Sequence, residues 1–209
     1  DAFECLIDNI RSNLNKLKKS NYDEILHIMI HIINNVMNYK TYEKKHLMEI
    51  SNIIFDIGCA NIFLSKIYAD IYRDITIKFD SKKNIYEDVV NEYLNSFKNL
   101  KYFELKENYE LFCEENKNRD LRKAKTKFLI NLLLNKTING ETIIKIIKFL
   151  ENKINELLNI ENKKNELEEI FDNLSILILN GYNVLKIEPC FDDIIDNLNV
   201  RSEEHTSEL

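Results

Sequence analysis

The chain has 209 residues, with 29 Lys and Arg against 35 Asp and Glu, for a formal net charge of -6. A mildly acidic balance makes a poor stand-alone nucleic-acid binder, and no apolar run approaches the ~20 residues that span a bilayer, so a soluble, cytoplasmic protein is expected. One Pro, three Gly and no Trp leave few breakers of regular structure. An all-α chain is therefore predicted, folded as one domain over 1–200.

Apolar residues Phe3, Leu6, Ile7, Ile10, Leu14 and Leu17 recur at three- and four-residue steps, which predicts an amphipathic helix over 3–17. The stretch RSNLNKLKKSNYDEIL, residues 11–26, then turns a corner. Ser20 or Asn21 is placed to cap the next helix, and Asn21 with Glu24 three residues on has the spacing of a capping box. The helix predicted over 22–39 is apolar nearly all round, so it is expected to lie inside. A second pair over 46–57 and 62–79 breaks near Gly58, which suits a helix C-terminus. A third pair covers 85–100 and 119–135. Its aromatic-rich insert, 101–118, reads as a helix extension or a long loop. Asn139-Gly140 punctuates the next join, and a fourth pair runs over 141–158 and 164–180, closed by Gly181. After Pro189 a short last helix is predicted over 191–198. The tail 201–209, RSEEHTSEL, has no apolar periodicity and reads as a sequencing-adapter scar, with the native domain C-terminally incomplete before it. Four hairpins at this period match HEAT-type arrays of ~40 to 47 residues per repeat, which makes a HEAT-like α-solenoid the leading architecture and a plain helical bundle the alternative.

Little in the sequence points to catalysis. Cys5, Cys59, Cys113 and Cys190 are scattered singly, without metal-ligand or redox spacing, and read as reduced. His27 and His31 stand four apart, as zinc-binding histidines do, but Ile28 follows His27 where HExxH needs Glu, and no third ligand is evident. With no Gly-rich phosphate loop and no serine elbow, a non-enzyme without metal or cofactor is expected. Arg119, Arg122, Lys123, Lys125 and Lys127 form the best RNA candidate, whose contacts would be weak, with phosphates and blind to sequence. A solvated face is the plainer reading of the same run. Lys16, Lys18 and Lys19 make a smaller patch beside the corner. Tyr93, Phe97, Tyr102, Phe103, Tyr109 and Phe112 read as core rather than as a stacking platform.

Several of these stretches resemble one family in order and rough spacing, from Phe3 to about Gly181. RSNLNKL followed by Ser20-Asn21-Tyr22 is similar to the start of the middle domain of eukaryotic translation initiation factor 4 gamma. Phe55 and then Tyr68-Ala69 keep the family's interval, and the run Lys127 to Leu132, KFLINL, resembles its Lys-Phe-Ile-Gly-Glu-Leu helix. Departures are Gly58-Cys59-Ala60 in place of Glu-Pro, Phe63 one place early, and Ile130-Asn131 in place of Gly-Glu. The resemblance implies a non-catalytic translation initiation scaffold that binds and stimulates a DEAD-box RNA helicase of the initiation factor 4A type on mRNA. It puts the helicase contact at Leu14, Leu17 and Tyr22, for which packing between the first two helices is the other reading. Related scaffolds in mRNA splicing, export or nonsense-mediated decay, and a general helical adaptor, are the alternatives.

Overall fold

A computed structural model of the chain describes residues 2–38, 44–60, 62–79, 85–106 and 108–198; the predicted helix end at Tyr39 and the tail 201–209 lie outside them. The described residues are all-α, with no strand among them. In order they form α1 (Ala2–Leu14), a 3-10 turn (Lys19–Asn21), α2 (Tyr22–Met37), α3 (Lys44–Ala60), α4 (Ser65–Phe79), α5 (Ile85–Asn95), α6 (Tyr109–Leu134), α7 (Gly140–Leu158), α8 (Lys164–Leu185) and α9 (191–198).

Helix α1 packs on α2, α3 on α4 and α7 on α8, as antiparallel neighbours joined by short turns do. Contacts also skip one helix: α1 meets α3 and α3 meets α5, while α2 meets α4, α4 meets α6 and α6 meets α8. Helices α2, α4, α6 and α8 thus form an even layer, with α1, α3 and α5 stacked beside it and α7 placed against α6 and α8. Direction within the even layer follows from side-chain pairs one turn apart. Asn131 on α6 donates to Ser65 on α4, and Asn135 donates to the Ala69 carbonyl, each at 2.8 Å. Arg122 pairs with Glu169 on α8, and Thr126 with Asn173. Helices α4, α6 and α8 therefore run the same way.

The inner helix is α6, not α2. Phe128, Leu129, Ile130, Leu132 and Leu133, with Arg122, Ala124, Lys125 and Thr126, bury positions all round its C-terminal half. Helices α3 and α4 cover one side of it and α8 another. Helix α2 buries Ile25, Met29, Ile32, Ile33 and Val36 on one side but exposes His27, His31, Asn34 and Asn35 on the other, so its apolar residues include a partly covered flank.

Phe128 lies where α3, α4 and α6 meet. Its ring takes Phe55 edge-on at 4.9 Å between centroids and Tyr72 at 6.3 Å. Gly58 makes this approach possible. It is inside α3 and not at its end, and no described glycine has positive φ, so what it supplies is space and not a left-handed turn. A Cβ built on Gly58 would stand 2.5 Å from Phe128 Cε2 and 3.1 Å from Tyr68 Cβ. Gly181 likewise continues α8 and faces Ile130 instead of closing the helix. The left-handed residues are Lys136 and Asn162, at φ 66° and 63°. Lys136 ends α6 in a Schellman pattern, with Thr137 N–H on the Leu132 carbonyl at 2.9 Å and its own N–H on Leu133 at 3.0 Å.

The insert after α5 divides between the two readings. Residues 101–104 are irregular, and α6 begins at Tyr109, where the Asn108 side chain accepts the Leu111 N–H at 3.0 Å. The aromatics expected to be core divide as well: Tyr93 on α5 and Phe97 just after it are buried, whereas Tyr102 and Tyr109 of the insert are exposed. The join before α7 is as predicted, with the Asn139 side chain accepting the Thr142 N–H at 2.9 Å. Gly58→Ala tests the close approach. In an open helix this change gains ~0.5–1 kcal/mol, but here the added methyl meets a ring that is fully buried. A net loss of about 1–3 kcal/mol in urea denaturation is expected, as for overpacked cores.

Candidate functional site

Burial divides the corner residues. Leu14 and Leu17 are 0 and 1% exposed, so neither offers a surface to a partner. Both belong to the core, which corrects the direct helicase contact expected of them: the apolar spacing that marks them is spent on packing. The Leu14 carbonyl, at the free end of α1, accepts the Tyr68 hydroxyl at 2.8 Å and so ties α1 to α4. Asn21 turns back instead of capping α2. Its side-chain oxygen accepts the Lys18 N–H at 2.7 Å and its amide donates to the Lys16 carbonyl at 2.9 Å. The expected capping box at Asn21 and Glu24 is therefore absent, because the corner's own backbone groups take the Asn21 side chain.

Tyr22 alone of the three keeps an accessible face. Its hydroxyl donates to Asp74 on α4 at 2.8 Å. Burial first, then the hydrogen bond and charge of Asp74, push the phenol above its ordinary value and keep it neutral. Asp74 in turn accepts Arg73 Nε and Nη2, each at 2.8 Å, and Asp70 lies 3.7 Å from the same guanidinium. Between this corner and α4 runs an open groove of about 630 Å³, lined by Lys19, Tyr22, Leu64 and Ile67, with Asp70, Arg73 and Asp74 along one wall. At its mouth Phe63 is 99% exposed. Lys16, Lys18, Lys19 and Lys66 are exposed around it. Of these residues, the sequence pattern singled out Tyr22, the corner lysines and the displaced Phe63. The α4 contribution could have been found as a second stripe, Phe63, Ile67, Asp70 and Asp74, at helical spacing beside the core stripe of Tyr68, Tyr72 and Ile75.

The basic run on α6 proves to be an internal brace. Arg122, 7% exposed, lies against Glu169 through two nitrogens, with Glu115 3.7 Å away and the Phe97 ring 5.9 Å from its guanidinium. Lys125, 9% exposed, reaches Glu92 at 3.4 Å and Asp56 at 3.7 Å. Arg119 and Lys123 share Asp172 at 3.4 and 2.7 Å. The RNA-contact expectation is corrected for these residues: a phosphate would have to displace carboxylates already in place, and for the buried Arg122 and Lys125 it would have to enter the core. Lys127 alone of the run is exposed. Beside Arg122, the Thr126 hydroxyl lies 2.7 Å from the Tyr93 hydroxyl and 2.6 Å from the Asn173 side-chain oxygen, a buried polar link between α5, α6 and α8.

His27 and His31 lie exposed on α2, where His31 Nε2 is 3.2 Å from the Asn35 amide. Among the described residues no group of three His, Cys, Asp or Glu is arranged to hold a metal ion, all four cysteines are free, and no helix is long and apolar enough to cross a membrane. No protein-family model, no curated protein and no solved structure matched the chain.

Two measurements check the brace. Arg122→Ala leaves Glu169 buried without its cation, and a loss of about 3–5 kcal/mol is expected in urea denaturation. The hydrogen-bonded Lys123 ammonium, with Arg119 beside it, holds the Asp172 carboxyl below its ordinary 3.8 against the opposing effect of partial burial. A carboxyl that titrates lower when folded contributes stability that is complete above the ordinary value and is lost as pH falls through the folded one. Asp172→Asn should therefore reduce the pH dependence of the melting temperature below pH 4, the ordinary range of Asp.

Proposed function

We propose that this chain is a HEAT-like α-solenoid scaffold that binds and stimulates a DEAD-box RNA helicase in translation initiation, contributing no chemistry of its own. One observation carries the reading. The stretches that share a resemblance, far apart in sequence, converge on one core: Leu14 meets Tyr68 by a hydrogen bond, and Phe55 meets Phe128 by ring contact. Tyr68 and Ala69 are 3 and 0% exposed within the same cluster. The stacking of like-directed helices in the even layer, with α1, α3 and α5 stacked beside it, supports the solenoid part of the reading.

On this reading Leu14 and Leu17 act through shape. They hold the corner that presents Tyr22, Lys19 and the α4 stripe to the helicase, and mRNA contact is left to weak phosphate interactions of exposed lysines such as Lys127. The test is the RNA-stimulated ATPase rate of an initiation helicase with and without the chain. A several-fold rise in rate is expected, together with loss of ~2–5 kcal/mol of folding stability on Leu14→Ala, the usual range for truncating a buried Leu. An ATPase rate indifferent to the intact chain would replace this reading with a general helical adaptor.

A further inference from the structure

The groove beside the corner combines two features that ordinary surfaces keep apart. Phe63 leaves essentially its whole side chain in water, at 99% exposure, and Ile62 before it is 50% exposed. A bare aromatic and a neighbouring aliphatic residue at the mouth of a groove lose water only when something covers them, at ~25 cal/mol per Å² of apolar surface removed. The charges around them are also unevenly satisfied. The carboxylates of the acidic wall are engaged within the protein, Asp74 by Arg73 at 2.8 Å and the Tyr22 hydroxyl, and Asp70 by Arg73 at 3.7 Å and the Asn135 amide, although one guanidinium against two carboxylates leaves that wall a net negative charge. Lys19 and Lys66 are exposed on the rim, with Lys16 and Lys18 adjoining along the corner. What the groove offers a partner is thus an apolar mouth beside a rim of lysines, with three cations in its lining against two carboxylates.

We propose that this groove docks an acidic protein segment carrying an apolar side chain, with Phe63 and Ile67 covering the apolar group and Lys19 and Lys66 meeting the carboxylates. The proposal rests on the scaffold reading for which protein brings the segment, not for the segment's chemistry. Protein fits better than RNA. Phe63 offers one bare ring, but Leu64 and Ile67 beside it are aliphatic and give no flat face for a second base, and the Tyr22 hydroxyl is already committed to Asp74. Carboxylates spaced along a peptide place negative charge on the lysine rim while leaving an apolar side chain between them for the mouth.

Fluorescence anisotropy tests it, with the full chain titrated into a short labelled peptide of Asp and Glu around a central Leu-Phe pair. Saturable binding is expected. It should weaken roughly tenfold in Phe63→Ala, in a Lys19→Glu and Lys66→Glu double variant, and when the peptide's acids are replaced by their amides. A Lys145→Glu control, on exposed α7 surface, should bind as the parent does. All these side chains are exposed, so unchanged thermal melts confirm that the variants remain folded. Absence of saturable binding, equal binding by the groove variants, or tighter binding of an oligouridylate that displaces the peptide would each overturn the proposal. Peptide binding without helicase stimulation would support the groove and remove only the helicase. Stimulation that survives Phe63→Ala and the double charge reversal, with no peptide binding, would overturn the groove and leave the scaffold reading standing.

Discussion

The ring of Phe128 is the contact that joins α3, α4 and α6 at the centre of the molecule. It is 0% exposed, takes Phe55 of α3 and Tyr72 of α4 against its edges and faces, and can come so close to α3 only because residue 58 has no side chain. A core contact of this kind fixes three helices at once, since interiors pack at crystal-like density and none of the three can shift without opening a void. The hydrogen bond from Tyr68 to the Leu14 carbonyl extends the same arrangement to the end of α1. The corner is thus positioned by the centre of the molecule and not by its own short turn.

Most helix positions, and the pairing of α1 with α2, α3 with α4 and α7 with α8, were readable because apolar spacing records which face each helix buries, whereas α5 of the expected third pair packs mainly on α3. That record failed at α6 and α2 for opposite reasons. Helix α6 looks polar because it carries Arg122 and Lys125 into the interior, and what makes this tolerable is Glu169, 47 residues later, together with Glu92 and Asp56. No local pattern reports a partner so distant. Helix α2 looks apolar all round, yet its polar face, with His27 and His31, is in water. The glycines misled in a third way. Gly58 and Gly181 were read as conformational terminators, but they serve as room for Phe128 and Ile130, while a lysine and an asparagine took the left-handed positions.

The candidate site was legible in half. Tyr22 and the corner lysines follow from the corner's own residues, and Phe63 stood out because it was displaced from its expected place. Leu14 and Leu17 were prominent for the reason that removes them from the surface: regular apolar spacing is the mark of a core. The other wall of the groove comes from α4, which carries two interleaved stripes. Which of them meets the corner depends on how α4 is rotated about its axis, and that is set by Tyr68, Tyr72 and Phe128 rather than by the stripes themselves.

The common direction of α4, α6 and α8 also has an electrical consequence. Peptide dipoles in like-directed neighbouring helices add rather than cancel, and each helix start carries about half a positive charge. Helices α2, α6 and α8 each place a carboxylate in the first turn, through Asp23 and Glu24, Glu110, and Glu166. Helix α4 has none there. Its first turn, from Ser65 through Lys66 and Ile67, borders the groove, so the backbone itself adds to the positive potential that the lysine ammonium groups set up at that edge of the molecule.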